Sequence, residues 1–456
     1  MKQVEQTKFL GEEKISKLLT KLSLPAIIGM MVNALYNLTD TIFIGQGVGS
    51  LGIAGVSIAL PIQMIVMSIA LTIGIGGASI ISRSLGQNNK EKAELTMGNA
   101  FILTALINTF TATIGLIWTE PILKLFGANT EIMPYALAYT KIILFSLPFF
   151  SLGMVGSNII RAEGNAKAAM FMMILSAGLN IILDPIFILF FHWGVVGAAL
   201  ATAISQFVAF LYVFIHFLRG KSILKISKNI FKINKLISKE IFTIGSSSFA
   251  RQISASVMAV IINNSLKYYG GSLEIAVFGV INRLSMFTLM PLFGIIQGMQ
   301  PIVGYNYGAK LFQRVKETIN KTILATSLMS TLAFLLLLLF AENITALFGN
   351  NTELITSTGY AIRIFILFWP TIGFQIVIGG MYQALGKAKQ AIIISTLRQT
   401  LLLIPLIIIL PIFFQLNGIW YAFPIADGIA VIATYFFYKH EMRSLTNQIE
   451  KEKSLI

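Results

Sequence analysis

The stretch Leu35-Tyr-Asn-Leu-Thr-Asp-Thr-Ile-Phe-Ile-Gly45 closes the first long apolar segment of the chain, residues 22–44, in which Asp40 is the only full charge. A segment of this kind has about the 20 residues needed to cross a bilayer as a helix. A carboxylate at mid-bilayer costs about 2.5–3.5 kcal/mol on insertion scales, so Asp40 is a functional candidate by default. The alternative is that Asp40, near the far end of the segment, simply reaches the interface.

The same apolar character extends over the whole chain. Of 456 residues 56% are hydrophobic and 12% charged, with a mean hydropathy of +0.80. A soluble domain carries about 25% charged residues, so this balance implies a polytopic helical membrane protein. The absence of Cys excludes disulfides, thiolate metal sites and a Cys nucleophile, and three His leave little for a histidine metal centre. Residues 1–21 mix Lys and Glu without a signal-peptide pattern, and residues 9–21 read as a short amphipathic surface helix.

Twelve apolar runs are long enough to span: 22–44, 53–82, 94–118, 133–156, 168–190, 195–218, 241–266, 274–304, 317–340, 355–380, 390–413 and 418–438. The alternate connections on one side, with both termini, hold 26 of the 34 Lys and Arg residues; the other side holds Lys124 and Lys267. By the positive-inside rule both termini are cytoplasmic, and the net charge of +15 is a topology signal rather than a nucleic-acid footprint. Residues 219–239 form the longest and most basic connection, read as a cytoplasmic linker helix on anionic headgroups between lobes 1–218 and 240–456.

The two halves are copies. At a shift of 222 residues, Gly49-Ser-Leu-Gly-Ile-Ala falls on Gly271-Ser-Leu-Glu-Ile-Ala, and residues 120–131 match 342–353 at eight of twelve positions. Six spans per half is an even number, so the repeats run parallel, an arrangement typical of transporters that rock two bundles about a central site. The fold class expected is therefore all-α integral membrane, with twelve transmembrane helices in two parallel six-helix repeats forming N- and C-lobes. Lys141 and Arg363 are repeat counterparts and read as structural. Asp40 and Asp184 have no acidic counterparts: the copy of the first region carries Asn263 and Asn264, and that of the second reads Leu-Leu-Leu-Ile-Pro-Leu.

Asn33, Tyr36, Asn37 and Asp40 share one helical face, Asn180 and Asp184 share another, and Thr202 and Gln206 repeat the spacing of four. Pro185 frees the carbonyl of Ile181 as a further oxygen ligand. Such a set suits a hard monovalent cation, or a proton held between two carboxylates; polar attachment between helices is the plainer reading. The second half offers Asn282, Arg283, Gln297, Arg398 and Asp427, a net cationic set, with Arg283 standing where the first half has Pro61. Met173 and nearby Met and Phe residues read as adaptable cavity lining.

These residues resemble the multidrug and toxic compound extrusion (MATE) transporters, in the DNA-damage-inducible/MepA-like branch, over essentially the whole chain. The likeness rests on Pro25 with Asp40 fifteen residues later, Leu-Asn-Ile-Ile-Leu-Asp-Pro at 179–185, Gly-Ala-Ala-Leu-Ala-Thr at 197–202 and Arg-Ala-Glu-Gly-Asn-Ala at 161–166. The resemblance implies an ion site on Asp40, Asn180, Asp184 and Thr202, bending at Pro25, and a drug cavity lined by Asn33, Tyr36 and Asn158. Asn37, Met173 and Gln206 complete the expected substrate residues, with Asn282, Arg283 and Gln297 as candidates in the second half. A second branch of the family places key acids in spans 7, 8 and 10, where this chain has Arg251, Arg283 and Arg363. The expected protein is a monomeric plasma-membrane antiporter, without a cofactor and not an enzyme. It exports amphipathic or cationic drugs or toxic metabolites in exchange for H⁺ or Na⁺. A lipid-linked oligosaccharide flippase is the alternative, for which a cation-dominated cavity is expected.

Overall fold

In hydrocarbon every backbone N–H and C=O must be paired within its own segment, and residues 8–220, 222–226, 232–347 and 351–454 of the computed structural model obey this with helices and no strand. The side chains of Asn37 and Lys453 lie outside this description. The first half contains α1 (Ile15–Gly47), α2 (Ser50–Gly86), α3 (Lys90–Ile117), the short α4 (Thr119–Leu125), α5 (Met133–Ala162), α6 (Ala166–Pro185) with a π-helical extension Ile186–Phe190, and α7 (Gly194–Leu218). The second contains α8 (Lys235–Gly308), α9 (Phe312–Ala346), α10 (Thr352–Phe365), α11 (Trp369–Ala384), α12 (Ala388–Thr396) with the π-helical Leu397–Leu403, and α13 (Ile404–Ser454).

Nine helices among the described residues are long and apolar enough to cross a membrane, or ten if α10 and α11, bent by 55°, count as one. Twelve apolar runs map onto fewer continuous helical segments because α8 carries two, around non-helical Gly271, and α12, the π-helical turn and α13 run on without a break and together carry two, around non-helical Gln415. Gly49 and Gly271, 222 residues apart, adopt the same left-handed conformation, φ 83° and φ 76°. Only glycine enters that region without a Cβ penalty. Asn88 and Lys310, and Gly164 and Gly386, are further left-handed pairs at the same shift, so the sequence repeat is also a repeat of backbone turns.

The chain forms two compact units. One comprises the described residues of Met1–Glu12 and Leu24–Gly245, the other Glu13–Ser23 and Ser246–Ile456. Each has its own apolar core, around Ile44, Val66, Leu144 and Ala198 in the first, and around Ile281, Trp369, Trp420 and Phe423 in the second. The boundaries at 23/24 and 245/246 fall inside α1 and α8, and close packing holds the pieces on either side. A Cβ on Gly76 would lie 2.1 Å from Ile241 O, which fixes the start of α8 in the first unit. A Cβ on Gly298, its repeat counterpart, would lie 2.3 Å from Ser23 Oγ, which fixes the start of α1 in the second.

The linker expected as a surface helix is irregular at 222–226 and 232–234, and helix begins at Lys235; Lys221 and Lys228 lie outside the described residues. The physical reason is competition for its backbone. Glu163 accepts from Ser222 Oγ at 2.6 Å and Ile223 N at 3.1 Å, Glu94 from Lys225 N at 2.9 Å, and Asn99 from Asn234 N at 2.8 Å. Burial pushes the Glu163 carboxyl up to about 7, against the hydrogen bonds that hold it down. Residues 9–21 are likewise not one helix: the chain breaks at Glu13 and Lys14, and α1 starts at Ile15.

Candidate functional site

Polar side chains survive in these helices mainly by bonding backward to their own carbonyls, as Thr72 does to Ser68 and Thr104 to Ala100. One departure from this local solution in the first unit is a buried cluster. Asp184 and Asn180 stand a turn apart on α6 and are buried, with Thr202 opposite them on α7. Asn180 satisfies both ends of its amide when its nitrogen faces the carboxylate. It then donates to Asp184 Oδ2 at 2.9 Å, and its oxygen accepts from Thr202 Oγ1 at 3.2 Å and Thr202 N at 3.3 Å.

From α1, Asp40 brings its carboxyl next to that of Asp184, and the Tyr36 side chain stands beside Thr202. Asp40 Oδ1 is buried and accepts a hydrogen bond from no described residue. Two carboxyls this close are both acceptors when ionised, so the pair needs a proton or a cation between them. Pro185 removes an N–H next to the site, and the π-helical turn Ile186–Phe190 begins directly after it. π-turns are frequent at functional sites. Asp40 is half-buried, Asp184 fully so; the four residues expected to hold the ion stand together.

The remaining candidates divide. Tyr36 belongs to the cluster, whereas Asn33 is exposed on the preceding turn of α1, and the Asn37 side chain lies outside the described residues. Met173 is half-buried and packs its sulfur over Gly29 of α1, where a Cβ would lie 2.8 Å away. Pro25 is buried inside α1, two residues past the unit boundary at Ser23. Gln206 accepts from Ser146 Oγ at 2.9 Å. Asn158 is buried with its amide already engaged, donating to Met154 O at 2.9 Å and accepting from Arg161 at 3.0 Å.

In the second unit Asn282 and Arg283 are exposed and hydrogen-bond to no described residue, while Gln297 is half-buried. Its buried polar positions lie elsewhere. Arg398 forms a two-pronged ion pair with Asp427 between α13 and the π-helical turn before it. Gln383 accepts from Gln300 at 2.9 Å and donates toward Ser247 and Ser248 at 3.1 and 3.3 Å. Sequence reasoning also passed over Tyr139 of α5, buried near Asp40 and beside Gln63 of α2. Its only sequence signal is a phenol within an apolar run. Lys141 and Arg363 sit beside another repeat pair: Arg363 binds Glu342 at 3.1 Å, and Lys141 lies near Glu120, whose carboxyl is held low mainly by its bond to Lys124.

The sequence and the fold have close counterparts. The MatE family model matches residues 25–186 and again 248–409, once in each half. The multidrug export protein MepA of Staphylococcus haemolyticus (strain JCSC1435) is 30% identical over 451 residues, covering 99% of this chain and 98% of that protein. A solved structure of the MATE multidrug transporter DinF-BH superimposes with a TM-score of 0.89 at 44% identity, over 95% of this chain and 98% of that one. A MOP superfamily transporter from Pyrococcus furiosus, described as having a binding pocket of reversed polarity that suggests a different function, matches with a TM-score of 0.91 at 27% identity, over 96% and 98%. With one family model matching both of its repeats and a relative at 30% identity along nearly its full length, this chain belongs to the MatE family and is a transporter, not an enzyme.

Proposed function

We propose that the protein is a secondary active antiporter that exports amphipathic or cationic organic compounds in exchange for H⁺ or Na⁺, with Asp40 and Asp184 as the coupling pair. The observation that carries the reading is a buried carboxylate oxygen of Asp40 that no described residue donates to, in a carboxyl that stands next to Asp184. A proton shared by the two carboxyls relieves that orphaned acceptor. A Na⁺ ion does the same with oxygens of Asp40, Asp184 and Thr202 as ligands and, once its amide turns over, the oxygen of Asn180, a hard-donor set that suits a hard cation. The multidrug relatives support organic drugs or toxic metabolites as cargo. A fold this similar can also carry a pocket of opposite polarity, so the acids rather than the fold favour this substrate class.

On this reading α8 supplies two crossings, α12 and its π-helical turn with α13 two, and α10 with α11 one, giving twelve spans with both termini in the cytoplasm of a monomeric plasma-membrane protein. Loading of the coupling ion from outside neutralises the Asp40–Asp184 pair, alters the packing of α1 near Pro25 and releases the drug outward. The membrane potential contributes about 2.3 kcal/mol per charge per 100 mV, enough for tenfold accumulation or more.

The test is drug efflux from proteoliposomes with independently imposed pH and Na⁺ gradients. Wild type should respond to at least one gradient, and Asp40→Asn and Asp184→Asn should lose that response while remaining folded by size-exclusion chromatography. Gradient-driven efflux by a folded Asp40→Asn variant overturns the proposal.

A further inference from the structure

The second unit has an apolar groove of about 490 Å³ that the transport reading does not use. It lies between α9, α11 and α13, and its walls include Ile323, Ser327, Phe374, Ile432, Tyr435 and Phe436. Its volume falls within the roughly 300–1,000 Å³ that ligand sites occupy. Close packing shapes the groove: Gly373 of α11 lies against the backbone of Thr326, where a Cβ would be 2.6 Å from Thr326 O. The three α13 residues are exposed, so the groove opens toward the surrounding hydrocarbon.

The α13 wall continues into cations. Ile432, Tyr435, Phe436, Lys439 and Arg443 recur at spacings of three and four, a single helical face. Arg443 stands about 10 Å along the axis from Phe436. On α9 the same face runs from Ser327 through Ile323 and Asn320 to Lys316. The Tyr438 hydroxyl bonds Asn320 at 3.0 Å across the two helices, and Lys316 reaches Thr446 at 3.1 Å, so both helices end the groove with donors and cations. Lys439 and Arg443 are exposed, and neither forms an ion pair with a described residue. The neighbouring acids are already engaged: Glu441 with Lys387 at 2.6 Å and Glu317 with Lys321 at 2.8 Å.

We propose that this groove binds an anionic phospholipid, with an acyl chain along Ile432, Tyr435 and Phe436 and the phosphate against Lys439, Arg443 and Lys316. Apolar depth alone accepts any acyl chain; the cations at one end select charge, as basic pockets between membrane helices do. On the proposed orientation this lipid belongs to the cytoplasmic leaflet.

The test titrates the purified full-length chain with palmitoyl-oleoyl phosphatidylglycerol or phosphatidylcholine and follows binding by native mass spectrometry. The phosphatidylglycerol adduct should be preferred, and K439Q/R443Q should weaken it by about tenfold or more, the scale of two cations at an anionic surface. The charge-matched control K124Q/K267Q should leave it unchanged. Ser327→Trp, which fills the groove, should weaken both lipids, and the cation variant keeps the test valid if that protein does not fold. Equal phosphatidylglycerol binding by wild type and K439Q/R443Q overturns the proposal, as does an equal loss in K124Q/K267Q. A dimer that dissociates with Ser327→Trp also overturns it, by assigning the groove to a second copy.

Discussion

Arg398 donates through Nε and Nη2 to the two carboxylate oxygens of Asp427, which is fully buried. The pair joins the π-helical turn Leu397–Leu403 to α13, as Asn180 joins α6 to Thr202 of α7 in the first half. Corresponding helix pairs are thus fastened by a full ion pair in one repeat and by an amide and a hydroxyl in the other. Asp427 is spoken for, whereas Asp40 is not.

Breaking the buried pair from one side leaves an uncompensated charge, which costs about 3–5 kcal/mol. Arg398→Gln should therefore lower thermal stability in detergent sharply. The apolar double variant R398M/D427L should recover much of the loss, because it removes both desolvated charges. A double variant no more stable than Arg398→Gln would count against a purely structural pair.

Asn180→Ala and Thr202→Val each remove a hydrogen-bonding group that positions Asp184 and, on the proposed function, the ion. The expected effect is about 1–3 kcal/mol, or roughly ten- to a hundredfold, on coupling-ion affinity. It should be read as a shift in the pH or Na⁺ midpoint of transport with the drug affinity little changed.

Glu163 lies outside the membrane-spanning segments, with its carboxyl pushed up to about 7 by burial from an unperturbed 4.5. The native state holds this proton more tightly than the unfolded chain. The group's stabilising contribution is therefore complete below about pH 4.5 and is lost as pH rises through about 7. Glu163→Gln should equal wild type near pH 5 and exceed it near pH 8 by a few kcal/mol at most, since each pKa unit is about 1.4 kcal/mol. Unfolding temperatures of the two proteins across that range check both the sign and the window.

Gly76→Ala and Gly298→Ala place a methyl group against the backbone of Ile241 and Ser23, and overpacking of this kind costs about 1–3 kcal/mol. Gly279→Ala, on the same helix as Gly298 but facing open space, should instead be neutral or stabilising by up to about 1 kcal/mol. Melting temperatures of the three variants separate close helix approach from a general intolerance of alanine.

The helical membrane class, the duplication and the members of the carboxylate cluster are legible in the residues alone. Those properties rest on local rules: apolar runs of bilayer length, residues three and four apart on one face, and glycine where φ is positive. Asn180 and Asp184 read as a pair because they share α6, and Asp40 stands out by its cost in an apolar run. Which helices meet is settled by packing in three dimensions. Asp427 and Arg398 are 29 residues apart on separate helical segments, so their pairing carries no periodic signal. The same holds for the proximity of Tyr139 to Asp40. The linker shows the limit most plainly: its lysine spacing suits a helix, but Glu163, Glu94 and Asn99 of the first unit take up its N–H groups and hold it irregular. A local pattern predicts a helix only until a distant side chain supplies its N–H groups with other acceptors.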